Sequence, residues 1–327
     1  MEMCMRFVVY GAGAVGGVIG GGLFQAGHDV RLIARGAHGA AIRDRGLRLE
    51  SPEQPVTLPV PVADHPSRTT FEPGDVVILA MKTQDTADAL AALATSAPPD
   101  IVIACAQNGV ENERLALRLF DRVYGVCVVT PTAHLEPGVV EVYSAPVAGS
   151  LDIGRYPAGD DGAAEIAAAF RDAGFAAAAR PDIMRLKYGK LLTNLGNSAE
   201  ALFGRGEHTT RITALARQEG IACLDAAGIG YADGVAPQGL RIRPIVGRRR
   251  QGSSSWQSLQ RGTGSVEADY LNGEIVLLGR RHGVPTPVNE LLRRRVNEMA
   301  RDRRPPGAEP PAEFLAAVGR MESATRE

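Results

Sequence analysis

The chain has 327 residues, 45% of them hydrophobic, and a formal net charge of -1. That is enough length for two domains and enough apolar residue for packed cores. The charge balance gives no reason to expect nucleic acid or a membrane surface as partner, and no apolar run approaches the roughly 20 residues of a membrane span. The start, Met1 to Arg6, runs directly into a strand pattern, so no signal peptide is expected. Cys4, Cys105, Cys127 and Cys223 lie far apart without a CxxC pair. Neither a disulfide framework nor a metal site is expected, and a reducing cytoplasm is the expected location.

From residue 6 to about 155, apolar runs alternate with Ala-rich helical stretches. The runs are Phe7 to Tyr10, Val30 to Ile33, Val76 to Leu79, Ile101 to Ile103 and Val123 to Val129. Runs apolar throughout are the mark of strands buried on both faces, as in a parallel sheet. Strand, helix, strand in that order predicts an α/β fold, a Rossmann-type doubly wound sheet. Residues 139 to 154 read as a terminal pair of strands after the turn at Pro137-Gly138, and a helix is expected from Ala163 to Ala173. Arg180-Pro181-Asp182 breaks the pattern, which puts the domain boundary between 180 and 181. Beyond it, residues 183 to 203, 208 to 228, 255 to 282 and 287 to 302 read as helices, with a last short one near 312 to 321. The second domain, 181 to 327, is therefore expected to be all-α. The run Arg248-Arg249-Arg250 reads as a solvated loop.

Gly11-Ala12-Gly13-Ala14-Val15-Gly16 follows the first strand and opens a helix. The first glycine permits a tight turn, the second lets backbone approach a pyrophosphate, and the third lets helix and strand pack closely. The helix N-terminus then faces the negative charge. With a strand before it, a helix after it and a second strand about 20 residues on, the motif predicts dinucleotide binding. The second strand ends Leu32-Ile33-Ala34-Arg35-Gly36, with no acid to accept ribose hydroxyls and a cation that suits a 2′-phosphate. NADP(H) is the expected cofactor; the plainer alternative makes Arg35 one surface arginine among many. Lysine occurs only at Lys82, Lys187 and Lys190. Lys82 ends the run from Val76 to Met81, and Asn108-Gly109 ends the run from Ile101 to Gln107. Ligands bind beyond the carboxyl ends of parallel strands, so Lys82 and Asn108 are candidates for contacts to cofactor and substrate, although Asn-Gly alone is commonly only a turn.

The helix opening the second domain carries Lys190 and Asn194, four apart and on one face. The helix expected from 255 carries Glu267, Asp269, Asn272 and Gly273. A lysine, an asparagine and a glutamate brought together suit carbonyl reduction, where an ammonium stabilises the developing oxyanion and supplies its proton. By spacing alone they would be ordinary exposed polar residues.

Together these stretches resemble the ketopantoate reductases over nearly the whole chain. The matching segments are Gly11 to Gly16, Arg35, Met81-Lys82, Asn108-Gly109, Leu135 to Gly138, Lys190-Leu191-Leu192 with Asn194, and Glu267 with Asp269-Tyr270-Leu271-Asn272-Gly273. The resemblance implies a Rossmann domain followed by a helical domain, with NADPH held in a cleft and a small 2-oxo acid as substrate. By position, Arg35 would meet the 2′-phosphate. Lys82 and Asn108 would line the nicotinamide side, with Asn108 also touching substrate, and Ala133 would touch the cofactor by backbone. Lys190 would bind the carbonyl and protonate it, Glu267 would be its partner carboxylate, and Asn194 and Ser255 would hold the substrate's hydroxyl and carboxylate. The chain departs from the family where a second asparagine is usual and Ser198 stands, and where Trp256 replaces a common methionine. The function expected is reduction of ketopantoate to pantoate. Reduction of a different 2-oxo acid, and a non-catalytic NADP(H)-binding regulator, are the alternatives. The oligomer compatible with the reading is a homodimer.

Overall fold

The computed structural model describes residues 5–159, 162–234, 239–248 and 251–326, with side chains to 321. Two compact units form: Met1–Lys187 with Val235–Arg250, and Tyr188–Gly234 with Gln251–Glu327. The division falls at 187/188 where the sequence suggested 180/181, and a segment from beyond 230 belongs to the first unit.

In the first unit the strands in chain order are β1 (Arg6–Tyr10), β2 (Asp29–Ile33), β3 (Leu47–Glu50), β4 (Val56–Leu58), β5 (Val62–Ala63), β6 (Val76–Leu79), β7 (Val102–Cys105), β8 (Arg122–Val129), β9 (Thr132–Ala133), β10 (Val139–Val142) and β11 (Ser150–Tyr156). Its helices are α1 (Ala14–Gln25), α2 (Gly36–Arg45), α3 (Thr86–Ala94), α4 (Asn112–Leu117) and α5 (Ala163–Asp172). Seven strands form one sheet in the order β11-β8-β7-β6-β1-β2-β5, parallel throughout except for β11. The order doubles back at β1, between β6 and β2, which is the switch point of a doubly wound fold. β1 shows why its run is apolar at every position. Phe7 and Val9 enter one core and Val8 and Tyr10 another, one on each face of the sheet.

A second sheet, β4-β3-β10-β9, covers α1 on its other side. The sequence pattern gave no sign of it. β3, β4 and β5 are two to four residues long and lie among Pro52, Pro55, Pro59 and Pro61, where no period can establish itself. The expected terminal pair is also split: β10 belongs to this small sheet, while β11 runs antiparallel to β8 at the edge of the large one. α1 is held between the two sheets by glycines. A Cβ at Gly20 would stand 2.7 Å from Leu32 of the large sheet, and one at Gly17 would stand 2.6 Å from Val140 of the small one. Five glycines in a twelve-residue helix cost roughly 0.5–1 kcal/mol each relative to alanine. Burial of Val18, Ile19 and Leu23 against both layers offsets that cost.

The segment 239–248 is bonded to the chain just after β10, through an isolated antiparallel bridge between Ser144 and Ile242. Arg243 N–H donates to Tyr143 O at 3.0 Å and Ala145 N–H to Arg241 O at 3.2 Å. Ile245 closes over Ala133 and Tyr143. Arg248 is therefore no solvated loop residue: its guanidinium donates to the buried Glu141 carboxylate, which also accepts from Tyr143 Oη at 2.8 Å. Arg249 and Arg250 lie outside the described residues.

The second unit is helical, as expected: α6 (Ile183–Asn194, from Tyr188 on), α7 (Gly196–Phe203), α8 (Glu207–Ala226), α9 (Ser254–Gln260), α10 (Asn272–His282), α11 (Pro287–Arg301) and α12 (Pro311–Arg326). The helix expected over 255 to 282 is broken. Gly262 and Gly264 adopt φ of +61° and +76°, which ends α9, and a short 3-10 turn at Glu267–Asp269 precedes α10. Asn289 is the polar centre of this unit. Its amide donates to Ala216 O at 2.9 Å and Glu219 Oε2 at 2.7 Å, while Glu219 accepts the Val288 and Asn289 N–H groups that open α11.

The packing of α1 sets a test. Leucine at 17 gains about 0.8 kcal/mol of helix propensity. It also drives a side chain into Val140 and to within 2.9 Å of Ala12 O, and overpacking of this kind costs about 1–3 kcal/mol. Gly17→Leu is expected to lower the urea midpoint; an unchanged midpoint would show that α1 and the small sheet can separate without loss.

Candidate functional site: a glycine-lined dinucleotide cradle and a lysine-asparagine pair

The glycine-rich turn meets each demand that a dinucleotide makes of it. Gly11 has φ +97°, its N–H donates to Ile33 O at 3.0 Å, and a Cβ there would lie 2.7 Å from Met81 N. Only glycine fits that turn. A Cβ at Gly16 would meet Gly11 O at 2.1 Å, so α1 approaches β1 only without a side chain. Gly13 differs: a Cβ there would touch nothing within 4 Å. The space in front of Gly13 is therefore open, and a pyrophosphate needs that space. Ala14 and Val15, half-exposed, open α1 beside it, where the first N–H groups of a helix have no acceptor of their own.

A cavity of about 410 Å³ adjoins the turn, bounded by Gly11 to Gly13, Arg35, His38, Met81 and Asp85 among others. Arg35 stands at the N-cap of α2 with its side chain 73% exposed, its guanidinium 3.9 Å from Asp85 Oδ1. The cavity has the size and donors for an adenosine carrying phosphates.

His38 went unnoticed in the sequence. Gly138 N–H donates to its Nδ1 at 2.9 Å, and that fixes the other ring nitrogen as the donor to Ala12 O at 2.6 Å. His38 thus ties the glycine-rich turn to the small sheet, with its ring 4.1 Å from that of His134. The only available signal was its place three residues after Arg35, which carries no chemistry by itself.

Beyond β6 and β7 lie Lys82 and Asn108, each half-exposed. Lys82 caps the turn at Thr83–Asp85, and Gly109, at φ +78°, turns the chain after Asn108. Beneath them is a buried polar cluster. Asn112 Nδ2 donates to Asn108 O at 3.1 Å and Thr83 Oγ1 at 3.2 Å, and Gln107 Nε2 to Thr86 Oγ1 at 2.7 Å and Met81 O at 3.1 Å. Glu113 lies at the base of the cluster. Burial pushes its carboxyl up from the ordinary range, and the adjoining Lys187 ammonium acts against that. Ala133 is buried in β9, paired in register with Glu141.

In the second unit Lys190 Nζ donates to Asn194 Oδ1 at 3.2 Å, one helical turn along α6. Asn194 is buried and Lys190 half-buried. Glu267 is buried at the first position of its 3-10 turn, not within a long helix as expected, and Ser255 is buried in the first turn of α9. α9 is seated on α7 by Ser253 Oγ donating to Asn197 O at 3.2 Å. Ser198 is fully buried and its hydroxyl donates to Asn272 Oδ1 at 2.6 Å; the Asn272 amide donates to Leu195 O and Asn289 Oδ1. The hydroxyl of Ser198 is thereby spent inside the helical core. Trp256 lies against Gly252, where a Cβ would come within 2.3 Å of the indole.

A glycine cradle at the switch point of a doubly wound sheet defines a dinucleotide-binding protein of the Rossmann class. Comparison with known proteins narrows this. The family model described as ketopantoate reductase PanE/ApbA matches residues 7–158, and the one described as its C terminal matches residues 182–300. The 2-dehydropantoate 2-reductase of Pyrococcus horikoshii is 30% identical over 300 residues, covering 88% of this chain and 95% of that protein. That of Halobacterium salinarum is 30% identical over 314 residues, covering 91% and 100%. A PanE/ApbA family ketopantoate reductase from Ralstonia eutropha has a similar structure, with a TM-score of 0.77, 30% identity and coverage of 91% and 99%. D-mandelate dehydrogenase with NADH and anilino(oxo)acetate has the same fold, with a TM-score of 0.77 at 21% identity over 91% and 99%. The chain belongs to the ketopantoate reductase family and is an oxidoreductase. A reductase of this family acts on a small molecule. Among the described residues no helix is long and apolar enough to cross a membrane.

The cradle separates two glycine roles experimentally. Gly13→Ala is expected to leave the melting temperature unchanged while weakening binding of a reduced nicotinamide dinucleotide, followed by its fluorescence. Gly16→Ala is expected to lower both. Equal loss of stability in the two variants would refute the assignment of open space to Gly13.

Proposed function

We propose that this chain reduces ketopantoate to pantoate with NADPH as the electron donor. The observation that carries the reading is the Lys190–Asn194 pair on α6, an ammonium positioned by a buried amide in a chain of this family. For the cofactor, the absence of an acid at the end of β2 and the exposed Arg35 beside the adenosine-sized cavity favour a 2′-phosphate. Gly13, Ala14 and Val15 receive the pyrophosphate, with Lys82, Asn108 and Ala133 toward the nicotinamide. When bound, the nicotinamide supplies the hydride for the carbonyl carbon.

Lys190 does the work at the oxygen. Its Nζ proton hydrogen-bonds the carbonyl, stabilises the negative charge as it develops, and passes to the oxygen to give the alcohol. Asn194 Oδ1 keeps that ammonium oriented. Glu267 is the carboxylate that orders the site and assists return of a proton to the lysine. In the helical unit Asn194 and Ser255 hold the hydroxyl and carboxylate of the substrate; in the first unit Asn108 is the residue offered to it.

A second reading keeps the chemistry and changes the 2-oxo acid. Its support is Ser198, whose hydroxyl is bonded to Asn272 within the core and is not available to a substrate hydroxyl.

NADPH absorbance is followed with ketopantoate, and NADH is run in parallel. Oxidation of NADPH is expected, with Lys190→Ala lowering kcat about 10²–10⁴-fold. Arg35→Ala is expected to weaken NADPH about 10- to 100-fold, the worth of a charge-assisted contact, while leaving NADH unchanged. NADPH binding without turnover of ketopantoate rejects the pantoate assignment and directs the assay to other 2-oxo acids.

A further inference from the structure

Of the three lysines, Lys187 has no part in the chemistry above, yet it is the most deeply engaged. Its side chain is 3% exposed, and Nζ donates to Cys105 O at 3.3 Å, to Gln107 O at 3.0 Å and to the Glu113 carboxylate, whose side chain is 0% exposed. The neighbouring strand is cut to admit the pair: a Cβ at Gly125 of β8 would lie 3.3 Å from both Lys187 Cδ and Glu113 Oε1. Three donors are thus committed to the carboxyl end of β7 and the start of α4. From there the bonding runs outward. The Gln107 side chain holds Met81 O, the residue before Lys82, and Asn112 holds Asn108 O.

A buried ion pair is a poor device for stability alone, since well-packed apolar side chains of similar volume are often as stabilising or more so. A buried ammonium with three acceptors does something apolar packing does not: it fixes the direction of specific carbonyls. We propose that Lys187 is a positioning residue for the nicotinamide end of the site. It holds the carboxyl end of β7, and through Gln107 and Asn112 it sets Asn108 and Lys82. The proposal rests on the reading that those two residues line the nicotinamide side.

The test uses the full chain with Lys187→Met and with Lys187→Met/Glu113→Met. The single variant leaves a buried carboxylate without its cation and loses stability. The double variant removes both charges and is expected to recover a melting temperature near that of the parent. Two ligands are then titrated: NADPH, by fluorescence, and 2′,5′-ADP, by calorimetry, which occupies only the adenosine end. In the double variant NADPH affinity and kcat are expected to fall on the order of 10- to 100-fold, with 2′,5′-ADP binding within about twofold of the parent. Parental NADPH binding and turnover in a folded double variant would overturn the proposal. So would equal loss of both ligands, which marks general damage to the unit. If the double variant fails to fold, Gln107→Leu decides, because it cuts the tie to Met81 while leaving the ion pair intact: the same selective loss of NADPH supports the proposal and parental behaviour overturns it. A parent chain that binds 2′,5′-ADP but not NADPH would instead overturn the functional reading, and this proposal with it.

Discussion

A helix can come no closer to a sheet than its side chains allow, and the first unit is organised around a helix that comes as close as backbone permits. α1 meets β1 and β2 through Gly16 and Gly20, and the small sheet through Gly17 and Gly21. Both contacts are needed at once, which explains why the glycines continue well beyond the dinucleotide fingerprint. The approach at Gly16 brings the first turn of α1 over the end of β1, and so points its N–H groups at the space before Gly13. Fold and binding site here share one steric condition.

The three lysines show how differently one residue type is used when it is rare. Lys190 keeps its ammonium half-buried and donates to Asn194 Oδ1 one helical turn along. Lys187 commits its protons to two carbonyls and a carboxylate, so none is left for substrate. Lys82 sits in an extended position at the mouth of the β6 end. The same ammonium group thus stands in three settings: buried in an ion pair at Lys187, half-buried on an asparagine at Lys190, and at a strand end at Lys82.

Much of this was legible in the sequence, and the reasons are local. Strands β1, β2, β6, β7 and β8 of the large sheet announced themselves because a strand buried on both faces is apolar nearly throughout. The glycine fingerprint was legible because each glycine answers a backbone demand that other residues cannot meet. The small sheet was not legible, because strands of two to four residues between prolines have no period to read. The break between α9 and α10 was written in Gly262 and Gly264, but apolar spacing on either side masked it. The role of Lys187 was out of reach for a different reason: its partner Glu113 lies 74 residues away, and nothing in a single sequence joins them. The same holds for Ser198 and Asn272, also 74 residues apart, where only the fold shows that the hydroxyl turns inward.

The segment 239–248 has a consequence for how the chain is made. Ile245 and Arg248 complete a layer whose other members, Ala133, Glu141 and Tyr143, precede them by about a hundred residues. During synthesis from the N-terminus, both sheets can close while the small one still lacks its contacts to this segment. Glu141 then waits without its guanidinium, and Ala133 and Tyr143 without their apolar cover. The first unit is thus finished only after the first stretch of the helical unit, Tyr188–Gly234, has been translated, so its completion reports that the ribosome has passed residue 248. A fragment ending at the α/β boundary would carry every glycine of the cradle and still be an unfinished object.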